Sequence, residues 1–358
     1  MRSALFIAVT VSTLAAGFAI PAQADPDLAG ANAAMATVFE KSKAPGAGFA
    51  IGRDGQVVSF KGYGYADVAA HTPVGPETMF ALASNSKPIT AMAVMKLIDD
   101  GKLTLDTPAF AFLGLSQFAD PRAAHITVKN LLNHSSGLPH DVPALSDDPM
   151  ETARAAAATK LDFTPGSQQA YSNAGFNVLG AVVEKASGQS YVDFVRSAVF
   201  APAGVTHSAV LEAKAALPGQ AVRYNDSGGV VVNKSREGGT PAGGWILAPA
   251  DMVRVLMAYD AGKIVTPASR AAMLAPPEAP LAPRTDGSAF GLGWDVVLRK
   301  NGARGPVLYG KNGGLNGDST WSEHRFDGID YAVFYNGGNG SGAHRPGLVA
   351  VEKALDGK

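Results

Sequence analysis

Residues 306–336 read PVLYGKNGGLNGDSTWSEHRFDGIDYAVFYN, and their pattern decides the fold. Residues 306–309, 319–326 and 329–336 are rich in aromatic and β-branched side chains and are parted by Gly or Asp turns, as successive strands are. Residues 291–299, just upstream, have the same character. Near the other end of the chain, residues 48–51 and 57–63 flank Arg53-Asp54-Gly55-Gln56, and Asp-Gly between apolar runs predicts a hairpin. Open strand edges are costly, so these two distant groups are expected to pair with each other. The expected fold is α/β, of the α+β kind: one antiparallel sheet built from both ends and flanked by helices, with a helical lobe between.

The helices are read outward from that sheet. Residues 27–42 are Ala-rich with little turn chemistry, and residues 347–355 close the chain. Residues 87–100 carry apolar side chains at Ile89, Met92, Ala93, Leu97 and Ile98 and stop at Gly101, an amphipathic helix with a C-terminal glycine. From about 105 to 245 helix and loop predominate, with helices expected over 127–134, 151–160, 173–186 and 191–199. The 151–160 helix reads as an exposed one. A helix over 249–260 starts at Pro249, which suits a first turn. A cleft between sheet and lobe is the expected place for a site.

Composition narrows the function. Hydrophobic residues make up 46% and charged residues 17%, which excludes disorder. A formal net charge of −1 gives no pull on nucleic acid or anionic lipid. No cysteine is present, which excludes disulfides, thiolate nucleophiles and Cys-ligated metals. Residues 1–24 (MRSALFIAVTVSTLAAGFAIPAQA) have a basic start, an apolar stretch and an Ala-x-Ala end, the pattern of a bacterial export signal cleaved after Ala24. The run is short for a stable membrane anchor, and no charged stop follows. Residues 25–358 are then one periplasmic or secreted module. Its sheet part covers about 25–80 and 245–358, and its helical lobe about 81–244.

Three short motifs carry the chemistry. Ser84-Asn85-Ser86-Lys87 is the one place where a lysine follows a serine by three residues. On a helix these two share a face, and a serine hydroxyl becomes a nucleophile once a neighbour takes its proton. A lysine can do so when burial or nearby positive charge lowers its pKa. Tyr171-Ser172-Asn173 precedes the 173–186 helix. A tyrosine beside an ammonium has its phenolate favoured and can work as base and acid, while Asn173 offers an amide to Lys87 and to a substrate carbonyl. Lys311-Asn312-Gly313-Gly314 ends the strand over 306–309. Its cation can hold a carboxylate or polarise Tyr171, and its glycines admit a substrate backbone. Taken singly each has a bland reading: a capped helix with an exposed lysine, a packed tyrosine, a solvated turn.

Together, in this order, they resemble the active-site signature of the serine β-lactamase and penicillin-binding DD-peptidase family, closest to its class C branch and the related family VIII esterases. Residues 126–139 (ITVKNLLNHSSGLP), 243–251 (GGWILAPAD) and 290–294 (FGLGW) also look like that family, and the resemblance runs from about residue 40 to the C-terminus. It implies a serine hydrolase with Ser84 as the nucleophile of an acyl-enzyme and Lys87 and Tyr171 sharing the proton work. It implies that Asn173, Lys311, Asn312 and Gly313 contact the substrate, and that the backbone N–H groups of Ser84 and Gly314 form the oxyanion hole. No cofactor and no metal are implied. The substrate is a small molecule or peptide, a β-lactam or a D-alanyl peptide first. Asn312 stands where β-lactamases carry Thr, which motivates a carboxylesterase or transacylase as the alternative; a non-catalytic peptidoglycan- or β-lactam-binding module has no use for a base beside its serine.

Rival sites are poor. The 7 histidines form no His-Glu-x-x-His, and no Gly-x-Ser-x-Gly elbow exists. His134 is expected to be a buried, hydrogen-bonded structural group, and Trp294 and Trp321 to be core rather than cleft. Residues 46–51 (GAGFAI) half resemble a dinucleotide loop but begin a strand. Specificity is expected to lie in loops 140–150 and 213–243.

Overall fold

A computed structural model describes residues 27–142, 148–212, 216–232, 240–285, 287–298, 306–338 and 345–356. The expected export signal lies outside the described residues, as do parts of the 140–150 and 213–243 loops. No described helix is long and apolar enough to cross a membrane.

The strands are β1 (Gly46–Arg53), β2 (Gln56–Asp67), β3 (Thr72–Pro73), β4 (Phe80–Ala81), β5 (Ser208–Val210), β6 (Trp245–Leu247), β7 (Ser288–Phe290), β8 (Asp295–Leu298), β9 (Pro306–Leu315), β10 (Asp318–Arg325) and β11 (Ile329–Tyr335). Eight of them form one antiparallel sheet in the order β3-β2-β1-β11-β10-β9-β8-β7. The seam between the two ends of the chain is the β1–β11 pair, running from Ala47 opposite Tyr335 to Arg53 opposite Ile329. The sheet is thus built from both ends, as the strand patterns predict.

Both faces of that seam are covered, so β1 up to Gly52 and all of β11 are buried without alternation, Asp330 included. Phe49, Ile51, Tyr331 and Val333 face the terminal helices Leu28–Ser42 and Arg345–Leu355. Ala50, Ala332 and Phe334 face the opposite way, into the larger core that includes Val253 and Leu256 of helix Pro249–Asp260. A Cβ on Gly48 would lie 2.8 Å from Pro249 Cγ, and one on Gly46 would lie 2.3 Å from the Tyr65 carbonyl oxygen of β2, so these glycines serve helix and strand packing rather than a nucleotide.

Several elements differ from their sequence reading. Residues 291–299 are not one strand: β7 and β8 flank a turn over 291–294, where Gly293 has φ +87. β9 does not stop at Tyr309 but continues through the Lys-Asn-Gly-Gly motif to Leu315. The middle of the chain contains β5, which joins β4 and β6 in a three-stranded sheet of order β4-β6-β5. Helix Pro149–Ala157 buries Thr152, Ala153, Ala156 and Ala157 against helix Asn173–Ser187, so it is amphipathic rather than exposed.

Candidate active site

The nucleophile turn is a strained connection. Ala83 has φ +49, a left-handed conformation that a side chain disfavours. It opens a 3-10 turn over Ala83–Ser86 that runs into helix Lys87–Asp99. Side chains three apart eclipse in such a turn, so Ser84 and Lys87 stack. Neighbours with no catalytic look hold the turn down. Thr320 Oγ1 donates to the Leu82 carbonyl at 2.8 Å, Ser322 Oγ donates to Asn85 Oδ1 at 2.7 Å, and the Trp245 amide donates to Ser86 Oγ at 3.1 Å.

Gly313 of β9 lies directly beneath this turn. A Cβ there would meet the Leu82 carbonyl oxygen at 2.0 Å and Thr320 Oγ1 at 2.5 Å. The strand can pass the turn only because that position has no side chain. Gly313→Ala is expected to destabilise the fold by about 3 kcal/mol, the upper end for overpacking, because a backbone carbonyl cannot move aside cheaply. Chemical denaturation would read this as a lower midpoint, and an unchanged midpoint would contradict the packing argument.

Ser84 Oγ sits between two partners. Lys87 Nζ is 3.1 Å away, and the Tyr171 hydroxyl is 2.5 Å away. Lys87 is wholly buried, and Nζ donates to Asn173 Oδ1 and to the Ala242 carbonyl, both at 2.7 Å. Burial, reinforced by the Lys311 charge and opposed by Asp141 and Asp295, holds Lys87 well below the usual lysine value. A neutral amine has two hydrogens and one lone pair. The two hydrogens suit Asn173 and Ala242, which leaves the lone pair for the Ser84 hydroxyl.

Tyr171 differs from its sequence reading. Its ring lies 4.7 Å from Lys87 Nζ and 5.3 Å from Lys311 Nζ, yet burial pushes its hydroxyl above the usual tyrosine value. A neutral phenol that donates to Ser84 Oγ fits this better than a phenolate. His134 supports it as expected. The imidazole is buried, its Nδ1 accepts from the Ser172 amide at 3.1 Å, and its ring lies 4.6 Å from that of Tyr171. Burial and nearby cations keep His134 well below its ordinary pKa, hence neutral. Ser172 caps helix Asn173–Ser187 by accepting from the Gly175 amide, and this directs Asn173 at Lys87.

A cleft of about 550 Å³ opens over Ser84. Tyr171, Asn173, Lys311, Asn312, Gly314 and Phe290 line it, with Asp295, Arg284 and His140. The structure therefore brings residues of all three motifs to one cleft, but Gly313, expected to contact the substrate, does not line it: that position faces the Leu82 carbonyl under the nucleophile turn. Asp141, Asp295, Arg284 and Ala242 were not singled out from sequence. Asp141 accepts from Asn173 Nδ2 at 3.0 Å, and Asp295 pairs with Lys311 Nζ at 2.9 Å. Asp295 directly follows the FGLGW stretch, and Asp141 and Ala242 fall in the 140–150 and 213–243 loops where specificity was expected. Trp294 is buried against Tyr259 and Tyr309, as a core residue.

The profile of the Beta-lactamase family matches residues 31–339. The chain belongs to the beta-lactamase family. Among relatives, it is 35% identical over 202 residues to Esterase EstB of Burkholderia gladioli, a match covering 50% of this chain and 51% of that protein. It is 29% identical over 203 residues to Protein flp of Staphylococcus aureus strain COL, which covers 54% of this chain and 40% of that one. The matched region is thus about half the length of these relatives or less. The fold resembles the octameric penicillin-binding protein homologue from Pyrococcus abyssi with a TM-score of 0.74 and 26% identity, over 91% of this chain and 76% of that one. It also resembles the penicillin binding protein from Bacillus halodurans, with a TM-score of 0.75 and 23% identity, over 90% of this chain and 99% of that one. In this beta-lactamase family member the three motifs meet at one cleft, which gives the family assignment a chemical content.

Proposed function

We propose that this chain is an exported serine hydrolase that acts on small esters or amides through an acyl-enzyme on Ser84. The observation that carries the reading is Ser84 Oγ held between the Lys87 amine and the Tyr171 hydroxyl. Ser84 Oγ attacks the carbonyl carbon as its proton passes to Lys87 Nζ. The carbonyl oxygen becomes an oxyanion facing the backbone N–H groups of Ser84 and Gly314, and such donors are worth about 3–4 kcal/mol each. Collapse breaks the bond to the leaving group, which takes a proton relayed through Tyr171. Water then attacks the acyl-enzyme, gives its proton up by the same route, and releases the acid and free Ser84. Asn173 orients Lys87. Lys311 and Asn312 face the substrate.

D-alanyl peptides and β-lactams are the first amides to consider, as in a DD-carboxypeptidase or β-lactamase. Two observations favour the ester reading: Asn312 in place of a hydroxyl residue, and the similarity to Esterase EstB. The test is p-nitrophenyl ester turnover together with intact mass after brief exposure to benzylpenicillin, in the natural chain and in Ser84→Ala. Turnover is expected to fall by about 10⁴-fold or more in the variant. A penicillin adduct on the natural chain alone would point to slow deacylation of the DD-peptidase kind. Ester turnover that survives Ser84→Ala would falsify the proposal.

A further inference from the structure

The cleft holds a carboxylate among its cations. Asp295 stands at the start of β8, opposite Gly310 and so beside the residue that precedes Lys311 on β9. Its Oδ2 pairs with Lys311 Nζ at 2.9 Å, and its Oδ1 with Arg284 Nη2 at 3.3 Å. Arg284 is held in turn: Nε donates to Ser288 Oγ at 2.7 Å, and the guanidinium carbon lies 4.4 Å from the centre of the Phe290 ring. Arg284, Phe290, Asp295 and Lys311 all line the cleft over Ser84. Lys311 is buried, whereas the Asp295 side chain keeps 17% of its surface exposed. A substrate that approaches Lys311 therefore meets a negative charge already seated on it.

We propose that Asp295 is a specificity-determining residue that turns the cleft away from acyl donors bearing a carboxylate near the scissile bond and towards uncharged ones. The inference rests on the acyl-enzyme reading and names its substrate class. A substrate carboxylate that reached Lys311 would have to share the ammonium with Asp295 at close range. Like charges so placed repel, and in a partly desolvated cleft salt screens them weakly. Arg284 offsets part of this repulsion, so the two residues should act in opposite directions. An uncharged ester pays nothing on this account.

The test compares two donors with one leaving group, p-nitrophenyl butyrate and mono-p-nitrophenyl glutarate, at neutral pH and fixed ionic strength. The readout is the ratio of kcat/KM for the anionic donor to that for the neutral one. Any change in Lys87 basicity affects both donors and cancels in the ratio. The natural chain is expected to prefer the neutral donor. Asp295→Asn, nearly isosteric and still able to accept from Lys311, is expected to raise the anionic-to-neutral ratio about tenfold or more. Arg284→Gln is expected to lower it, which gives an independent arm should the first variant fold poorly. Equal ratios in the natural chain and both variants, or a natural chain that prefers the anion, would overturn the proposal. Failure of the acyl-enzyme reading looks different: both donors would then turn over in Ser84→Ala.

Discussion

Lys87→Ala is expected to lower kcat/KM for an ester by about 10³-fold, within the range for losing a general base. It is also expected to remove the acid limb of the pH profile. Lys87 can accept the Ser84 proton only as a neutral amine. Burial and the Lys311 charge lower its pKa, so the neutral form appears at lower pH than for an exposed lysine. Below that lowered pKa the ammonium has no lone pair for Ser84, and activity should drop as the pH falls. Asp141 and Asp295 oppose the shift, so Asp295→Asn should move the acid limb to lower pH. The measurement is kcat/KM against pH with one neutral ester. An acid limb unchanged in Lys87→Ala would assign the base elsewhere. Tyr171 would be the next candidate, although its raised pKa suits a donor better.

The sheet was legible because its signals are local: an Asp-Gly turn between apolar runs, and aromatic and β-branched runs parted by Gly or Asp. Pairing the two ends then followed from the need to close edges. The ends of elements were less legible. Lys311-Asn312-Gly313-Gly314 has turn composition, yet β9 runs straight through it because Gly313 lets the strand pass beneath the nucleophile turn. β5 is three residues long, and its reason for being a strand is its pairing with β6, which follows far along the chain. In the site, Ser84, Lys87, Tyr171 and Asn173 were readable because each belongs to a short motif. Asp141, Asp295 and Ala242 were not, since each acts on a motif residue that is its neighbour only in space. The state of Tyr171 was misread for the same reason. Sequence places a lysine near it, but burial dominates its pKa, and burial is a property of the whole fold.

The cleft and the far face of the sheet share a logic, in that a polar group is buried where the ordinary charge state is costly. At the cleft this yields a base. Behind the sheet it yields a stability cost that depends on pH. Glu323 of β10 is buried, its Oε2 accepts from Trp321 Nε1 at 3.2 Å, and Glu352 of the C-terminal helix lies nearby, accepting from the Tyr331 hydroxyl at 3.2 Å. Burial first, then the Glu352 charge, pushes Glu323 up from 4.5 to about 8. The sign follows from proton counting. Between these two values the unfolded chain has released the Glu323 proton while the folded chain keeps it. Stability therefore falls as pH rises across that window, and the loss is complete above about 8. At full size the shift amounts to roughly 5 kcal/mol, at 1.36 kcal/mol for each pKa unit. Glu323→Gln keeps the shape and cannot ionise. It is expected to melt close to the natural chain near the lower end of the window, and well above it beyond the upper end. Thermal melts of both proteins across the window would show the two curves diverging as pH rises. Parallel curves would mean that Glu323 ionises in the folded protein as easily as in the unfolded one.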